Sequence, residues 1–219
     1  MSPKHTIQYL LHLVHPLALL PLVFLLWDIF RGPALVNPIQ EATLRTGLTA
    51  LVLLLLSLAC TPINLFLRWK WVMALRRPLG LYAFLYVALH LFIFAVIDYR
   101  LDWSLLAPDI TDKRYIFIGL AAFVLLIPLA ITSTKAWQRR LGKRWKALHR
   151  LVYAAAALAI MHFIWLVKSD IRLPLAYAGV LLVLLLIRLP SSKKAIASLR
   201  QQPGLKQAPQ LTPSKHDLP

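Results

Sequence analysis

Residues 44–67 read LRTGLTALVLLLLSLACTPINLFL. After Arg45 this stretch carries no charge, and the run Leu51–Leu56 is apolar on every side. A half-buried strand would alternate apolar and polar residues, as the strands of a membrane barrel do. A spanning helix needs roughly 20 mostly apolar residues and satisfies every backbone group internally, the condition for crossing lipid. The stretch reads as a membrane helix.

Five more segments of this kind follow from the same reading. The first runs over residues 8–30, the third over 78–97, the fourth over 115–132, the fifth over 147–167 and the sixth over 173–189. The first is too long for a signal h-region and lacks a small-x-small cleavage site, so it is expected to be retained. Composition agrees with six spans. The chain is 59% hydrophobic and only 15% charged, with a mean hydropathy of +0.67. Soluble domains carry about 25% charged residues. The expected fold is an all-α six-helix membrane bundle, residues 1–189. A Pro-, Gln-, Lys- and Ser-rich tail, 190–219, is expected to be disordered.

The formal net charge of +17 raises the prospect of a nucleic-acid partner, but its distribution points elsewhere. Eighteen of the 25 basic residues fall on one side of the six-helix arrangement: Lys4, the loops 68–77 and 135–146 with Arg150, and the tail from Arg188. The only acid there is Asp217. The other side holds seven basic and seven acidic residues. This is the positive-inside pattern, so both termini are expected in the cytoplasm and the basic loops at anionic lipid. All seven tryptophans, from Trp27 to Trp165, lie near segment ends, as an interfacial belt requires. The single cysteine, Cys60, lies inside the second segment and reads as a packing residue.

Histidine carries whatever chemistry the bundle has, because ionisable groups inside a membrane are costly and mark function. His90 lies about 18 Å and His162 about 22 Å from the cytoplasmic edge of their helices. Two imidazoles at matched depth on different helices can supply both axial nitrogens of a heme iron, an arrangement suited to electron transfer. His149 lies about 20 Å along the axis from His162, so one heme cannot take both. The third segment has only Arg76 and Arg77 at the His149 level. A second heme there needs a partner from elsewhere, such as His12 or His15, or a helix distortion. The alternative is a set of hydrogen-bonded histidines in a transporter-like core. His12 and His15 read either as interfacial packing or as contacts to a quinone or propionate. Gly80, Ala83, Ala88, Ala154–Ala157 and Ala159 leave room for a flat macrocycle or for close helix packing.

The stretches RRPLGLYAF (76–84) through His90 and WQRRLGKRWKALHRLVY (137–153) through His162 closely resemble the heme-binding membrane subunit of the bacterial periplasmic methionine-sulfoxide reductase system, within the ferric-reductase-like transmembrane group. The resemblance covers residues 8–189 and implies b-type heme, one or two, with His90, His149 and His162 at the family's histidine positions. It implies electrons taken from the quinone pool or a cytoplasmic flavin reductase. They pass to a periplasmic molybdopterin subunit that repairs methionine sulfoxide in oxidised envelope proteins, the chain itself lying in the bacterial inner membrane. FMN rests on the resemblance alone. Arg77, Arg144 and Arg150, with Arg76 and Lys143, lie at the surface where a propionate or an FMN phosphate would sit; they read equally as topology charges. Asp98, Asp102, Asp109 and Asp112 on the opposite face read as a partner-docking surface or a solvated loop. Two alternatives stay open. One is a stand-alone heme-containing ferric reductase, against which the missing flavin and nicotinamide domains weigh. The other is a heme-free transporter.

Overall fold

The computed structural model describes residues 3–31, 36–167 and 170–189. Among these the chain is helical, with no strand. Two compact units separate at residue 184: Met1–Leu184, which carries everything that follows, and Leu185–Pro219. The expected disorder of the tail, 190–219, falls outside the described residues.

α1 spans Pro3–Phe30 and α2 spans Pro38–Leu67. α2 begins six residues earlier than the apolar run, because the cap overrides hydropathy. The Asn37 side chain accepts the Gln40 N–H at 3.1 Å, Pro38 presets the first turn and Glu41 complements the helix dipole. α2 stops at Arg68, whose left-handed backbone (φ 57°) sends its N–H to the Asn64 carbonyl. α3, Val72–Phe92, starts six residues before the expected Pro78 and runs on into a π-helical segment, Ile93–Asp98. That segment ends in two successive left-handed residues, Arg100 and Leu101. Each costs about 1–2 kcal/mol, offset in part by bonds from Leu101 N to Ala95 O and Asp102 N to Tyr99 O, both 2.9 Å.

α4, Trp103–Asp112, is capped by Asp102. α5 spans Arg114–Ile131, α6 Lys135–Leu141, α7 Lys143–Leu148, α8 Leu151–Leu166 and α9 Arg172–Leu186. Gly142, at φ 51° and ψ −120°, turns the chain between α6 and α7, a conformation closed to residues with a Cβ. The expected fifth helix, 147–167, is in two pieces, the end of α7 and α8. It breaks at His149–Arg150, where Arg150 N bonds Ala147 O and Tyr153 N bonds Arg150 O, three residues back in each case.

Among the described residues, five stretches are long and apolar enough to cross a membrane: Gln8–Phe30, Pro38–Leu67, Val72–Asp98, Arg114–Ile131 and Lys143–Leu166. α9 has 15 residues, or about 22 Å against the roughly 30 Å of a hydrocarbon core. Large apolar side chains such as Leu17, Phe117 and Leu182 stand exposed, as a lipid-facing surface requires.

Two antiparallel hairpins build the bundle. In the first, Ser57 Oγ donates to Arg76 O (2.8 Å) and His90 Nδ1 meets Thr43 O (2.9 Å), pinning α2 along α3 at both ends. The second pairs α5 with α8. Ala155 and Ala156 on α8 and Ala83 on α3 are buried, so these alanines serve close packing, whereas Ala154 and Ala157 face outward. Phe84 stacks on Phe123 across α3 and α5, centroids 5.8 Å apart. α1 lies against the first hairpin. Its Pro21 lies between Ala18 and Leu22, a pair that a regular helix would bond directly. The Tyr86 hydroxyl enters there, donating to Ala18 O (2.8 Å) and accepting from Leu22 N (3.2 Å). A buried tyrosine thus ties α3 to α1 beside Pro21. Removing the hydroxyl in Tyr86→Phe loses both bonds and should cost about 1–3 kcal/mol, read as a lowered thermal unfolding midpoint in detergent.

Candidate functional site

His90 on α3 and His162 on α8 come together between the hairpins. Their ring centroids lie 6.2 Å apart with planes at 88°. Each ring is held by a main-chain carbonyl of the neighbouring helix in its own hairpin. His90 Nδ1 donates to Thr43 O of α2 at 2.9 Å, and His162 Nδ1 donates to Tyr115 O of α5 at 2.6 Å. A carbonyl can only accept, so each Nδ1 carries the proton and each Nε2 keeps its lone pair. The Tyr115 ring also lies against His162, centroids 5.9 Å apart.

The pair fits a bis-imidazole metal site. Metal–imidazole bonds of about 2 Å, with about 1 Å from nitrogen to ring centre, place trans ring centroids about 6 Å apart. Among the described residues no three His, Cys, Asp or Glu side chains converge. A metal held by this pair would need further ligands, which a macrocycle such as heme could supply.

His149 stands apart from this pair. It occupies the break between α7 and α8, stacked on Trp145 at 3.9 Å, with Nδ1 against Trp145 O at 3.2 Å. The Trp145 indole N–H is fixed by Thr132 O at 2.9 Å. The His149 Nε2 is buried without a hydrogen-bond partner, and a buried orphan of this kind calls for an explanation. The Arg76 guanidinium of α3 lies within electrostatic range of the ring. No second histidine is brought to His149 among the described residues. His15 instead pairs with Tyr82 (Nδ1 to hydroxyl, 2.9 Å), and His12 is exposed. Arg77 on α3, Arg144 on α7 and Arg150 at the start of α8 are all exposed.

At the other end, Arg45 on α2 pairs with Asp28 of α1 and with Glu41, the latter at 2.7 Å. Beyond the spans, Asp109 of α4 accepts from Lys113 Nζ and from the Tyr99 hydroxyl. Lys113, and then Tyr99, hold the Asp109 carboxyl below the usual carboxylate range; Asp109 in turn raises Lys113 and Tyr99. A depressed carboxylate contributes stability that is present above its unfolded pKa and lost as pH falls through its folded one. The clasp tying α4 to the Tyr99 turn should hold at neutral pH and open only below about pH 3.9. Proteolysis across residues 99–113 should rise in that acid range in the native chain, and should lose that pH step in Asp109→Asn.

Residues 46–160 match the family model described as "Ferric reductase like transmembrane component". The matched range covers most of both hairpins and includes His90 and His149. The chain is 47% identical over 179 residues to a Xanthomonas axonopodis pv. citri protein, covering 79% of this chain and 82% of that one. It is 42% identical over 207 residues to a Xanthomonas oryzae pv. oryzae protein (92% and 94%) and 46% identical over 172 residues to a Rhodospirillum rubrum protein (78% and 83%). Each of the three is named a protein-methionine-sulfoxide reductase heme-binding subunit, MsrQ.

The chain belongs to the MsrQ family.

The chain thus resembles MsrQ proteins along most of its length. No solved structure matches the chain. Sequence reasoning reached the three histidines but missed what orients two of them. Thr43 and Tyr115 act through main-chain carbonyls, which leave no side-chain signature.

Proposed function

We propose that the chain is a transmembrane electron conduit in the bacterial inner membrane, the heme-binding subunit of a reductase whose substrate site lies on a partner. The His90–His162 pair carries this reading: two imidazoles, each held through Nδ1 by a carbonyl, lie 6.2 Å apart between centroids, the spacing that two ligands of one iron would need. Bound b-type heme supplies a reversible one-electron iron couple, and two imidazole ligands favour electron transfer over oxygen chemistry. The residues do the rest. The carbonyls of Thr43 and Tyr115 raise the basicity of both rings and fix their tautomer. His149, with its free Nε2, holds a second heme or lines the electron-entry site at the opposite level.

In this reading six helices cross the membrane with both termini cytoplasmic, α9 being the sixth and least tilted. The charge asymmetry supports that orientation. Electrons enter on the cytoplasmic side from the quinone pool or a flavin reductase. They leave toward a periplasmic molybdopterin subunit that reduces methionine sulfoxide in oxidised envelope proteins; the names of the relatives support the substrate. Arg77, Arg144 and Arg150 contact heme propionates or an FMN phosphate. Protein produced with ample heme and purified in detergent should show a Soret band, and on reduction paired low-spin α and β bands with a b-type pyridine hemochrome. Absence of the Soret band refutes the reading.

A further inference from the structure

The two hairpins repeat one local device. His90 reaches back 47 residues to the carbonyl of Thr43, and His162 reaches back 47 residues to that of Tyr115. In both helices the residue four positions past the carbonyl is glycine, Gly47 in α2 and Gly119 in α5. The glycine lies beside the histidine of the packed helix. A Cβ on Gly47 would sit 3.0 Å from His90 Nδ1, and one on Gly119 would sit 2.7 Å from His162 Nδ1. All three elements recur at one offset: 43 and 115, 47 and 119, 90 and 162 each differ by 72. Buried Ala50 and Ala122, Leu54 and Leu126, and Ala83 and Ala155 keep the same register.

The glycine position follows from helix geometry. In α2 the Thr43 carbonyl is the acceptor for the N–H of residue 47, and in α5 the Tyr115 carbonyl is the acceptor for residue 119. A carbonyl has a second lone pair. A side chain at the donor position would stand between that lone pair and the neighbouring helix. Glycine leaves it open, and the imidazole enters edge-on.

We infer that Gly47 and Gly119 are paired positioning residues, repeated in the two hairpins, that admit each imidazole to a helix carbonyl and so set the orientation of the two heme ligands. The inference rests on the heme reading above. Neither glycine is needed for a turn: both lie inside regular helix, where alanine is the better helix former. Alanine at 119 must displace a ring held by a 2.6 Å bond, because a real Cβ does not approach within 3.0 Å of a ring nitrogen. Alanine at 47 requires the His90 ring to yield by a few tenths of an ångström. Weakening the Nδ1–H to carbonyl bond makes the imidazole a poorer donor, which destabilises ferric iron and raises the potential.

The test uses the full chain with heme, read by ferric paramagnetic resonance and by midpoint potential. Gly119→Ala should lose most of the low-spin signal. Gly47→Ala should keep its heme, with a raised potential and a shifted largest g value. Gly179→Ala, with nothing within 4 Å of the added Cβ, should match the native protein. If Gly119→Ala does not accumulate, Gly47→Ala decides alone. Native potential and resonance in the position 47 and 119 variants overturn the inference, as does an equal change in the Gly179→Ala control. A native protein without a Soret band overturns the heme reading itself, and is recognised before any variant is made.

Discussion

His90→Ala and His162→Ala should each abolish the low-spin heme held between α3 and α8, and by the same amount. The two rings come from different hairpins, yet they meet at one point, 6.2 Å between centroids. Bis-imidazole coordination needs both. Loss of an outer partner of a metal ligand costs about 10–100-fold in affinity, so loss of a direct ligand should exceed about 100-fold. The fold should persist. Each histidine contributes one bond to a carbonyl that also serves its own helix, and the hairpins stay pinned by buried contacts such as Leu54, Leu58 and Ala155. The readout is the reduced-minus-oxidised spectrum beside the far-ultraviolet helical signal. Retention of the low-spin bands in either variant would show that its histidine is not a ligand.

His149→Ala should separate from that pair. The ring lies in the α7–α8 break, at the basic end of the bundle, and stacks on Trp145. Its Nε2 is buried and unpartnered. A buried unpaired group costs about 1–3 kcal/mol, and its removal offsets the loss of the Trp145 stacking and of the Nδ1 contact to Trp145 O. The expected outcome is a stable protein that loses one heme equivalent and keeps the low-spin signal of His90 and His162. The heme-to-protein ratio measured beside the spectrum checks both halves. An unchanged ratio would place His149 outside heme ligation, and joint loss of the deeper signal would contradict the two separate levels.

Much of this was legible in the sequence, for physical reasons that also mark where legibility ended. Runs such as Leu51–Leu56 admit only helix in lipid. The matched depth of His90 and His162 follows from 1.5 Å per residue and needs no tertiary information. The start of α2 at Pro38 was missed because a cap, not hydropathy, sets it. The break at His149 was missed because its stretch, Arg144–Tyr153, has neither Pro nor Gly; the only glycine nearby, Gly142, acts seven residues earlier. The repeat was invisible for a different cause. Its acceptors are carbonyls of Thr43 and Tyr115, residues with nothing else in common, and its glycines are too few to stand out among apolar neighbours. Only the packed hairpins show that the same offset recurs three times.

The ring planes give the most direct test of the central claim, that His90 and His162 are the two axial ligands of one iron. They stand at 88°. Low-spin ferric heme with near-perpendicular imidazoles gives a highly anisotropic resonance with one large g value, whereas near-parallel imidazoles give an ordinary rhombic signal. The account predicts the highly anisotropic signal in the native protein and its loss in both His90→Ala and His162→Ala. A rhombic or high-spin signal, or a large-g signal that survives either substitution, would contradict it.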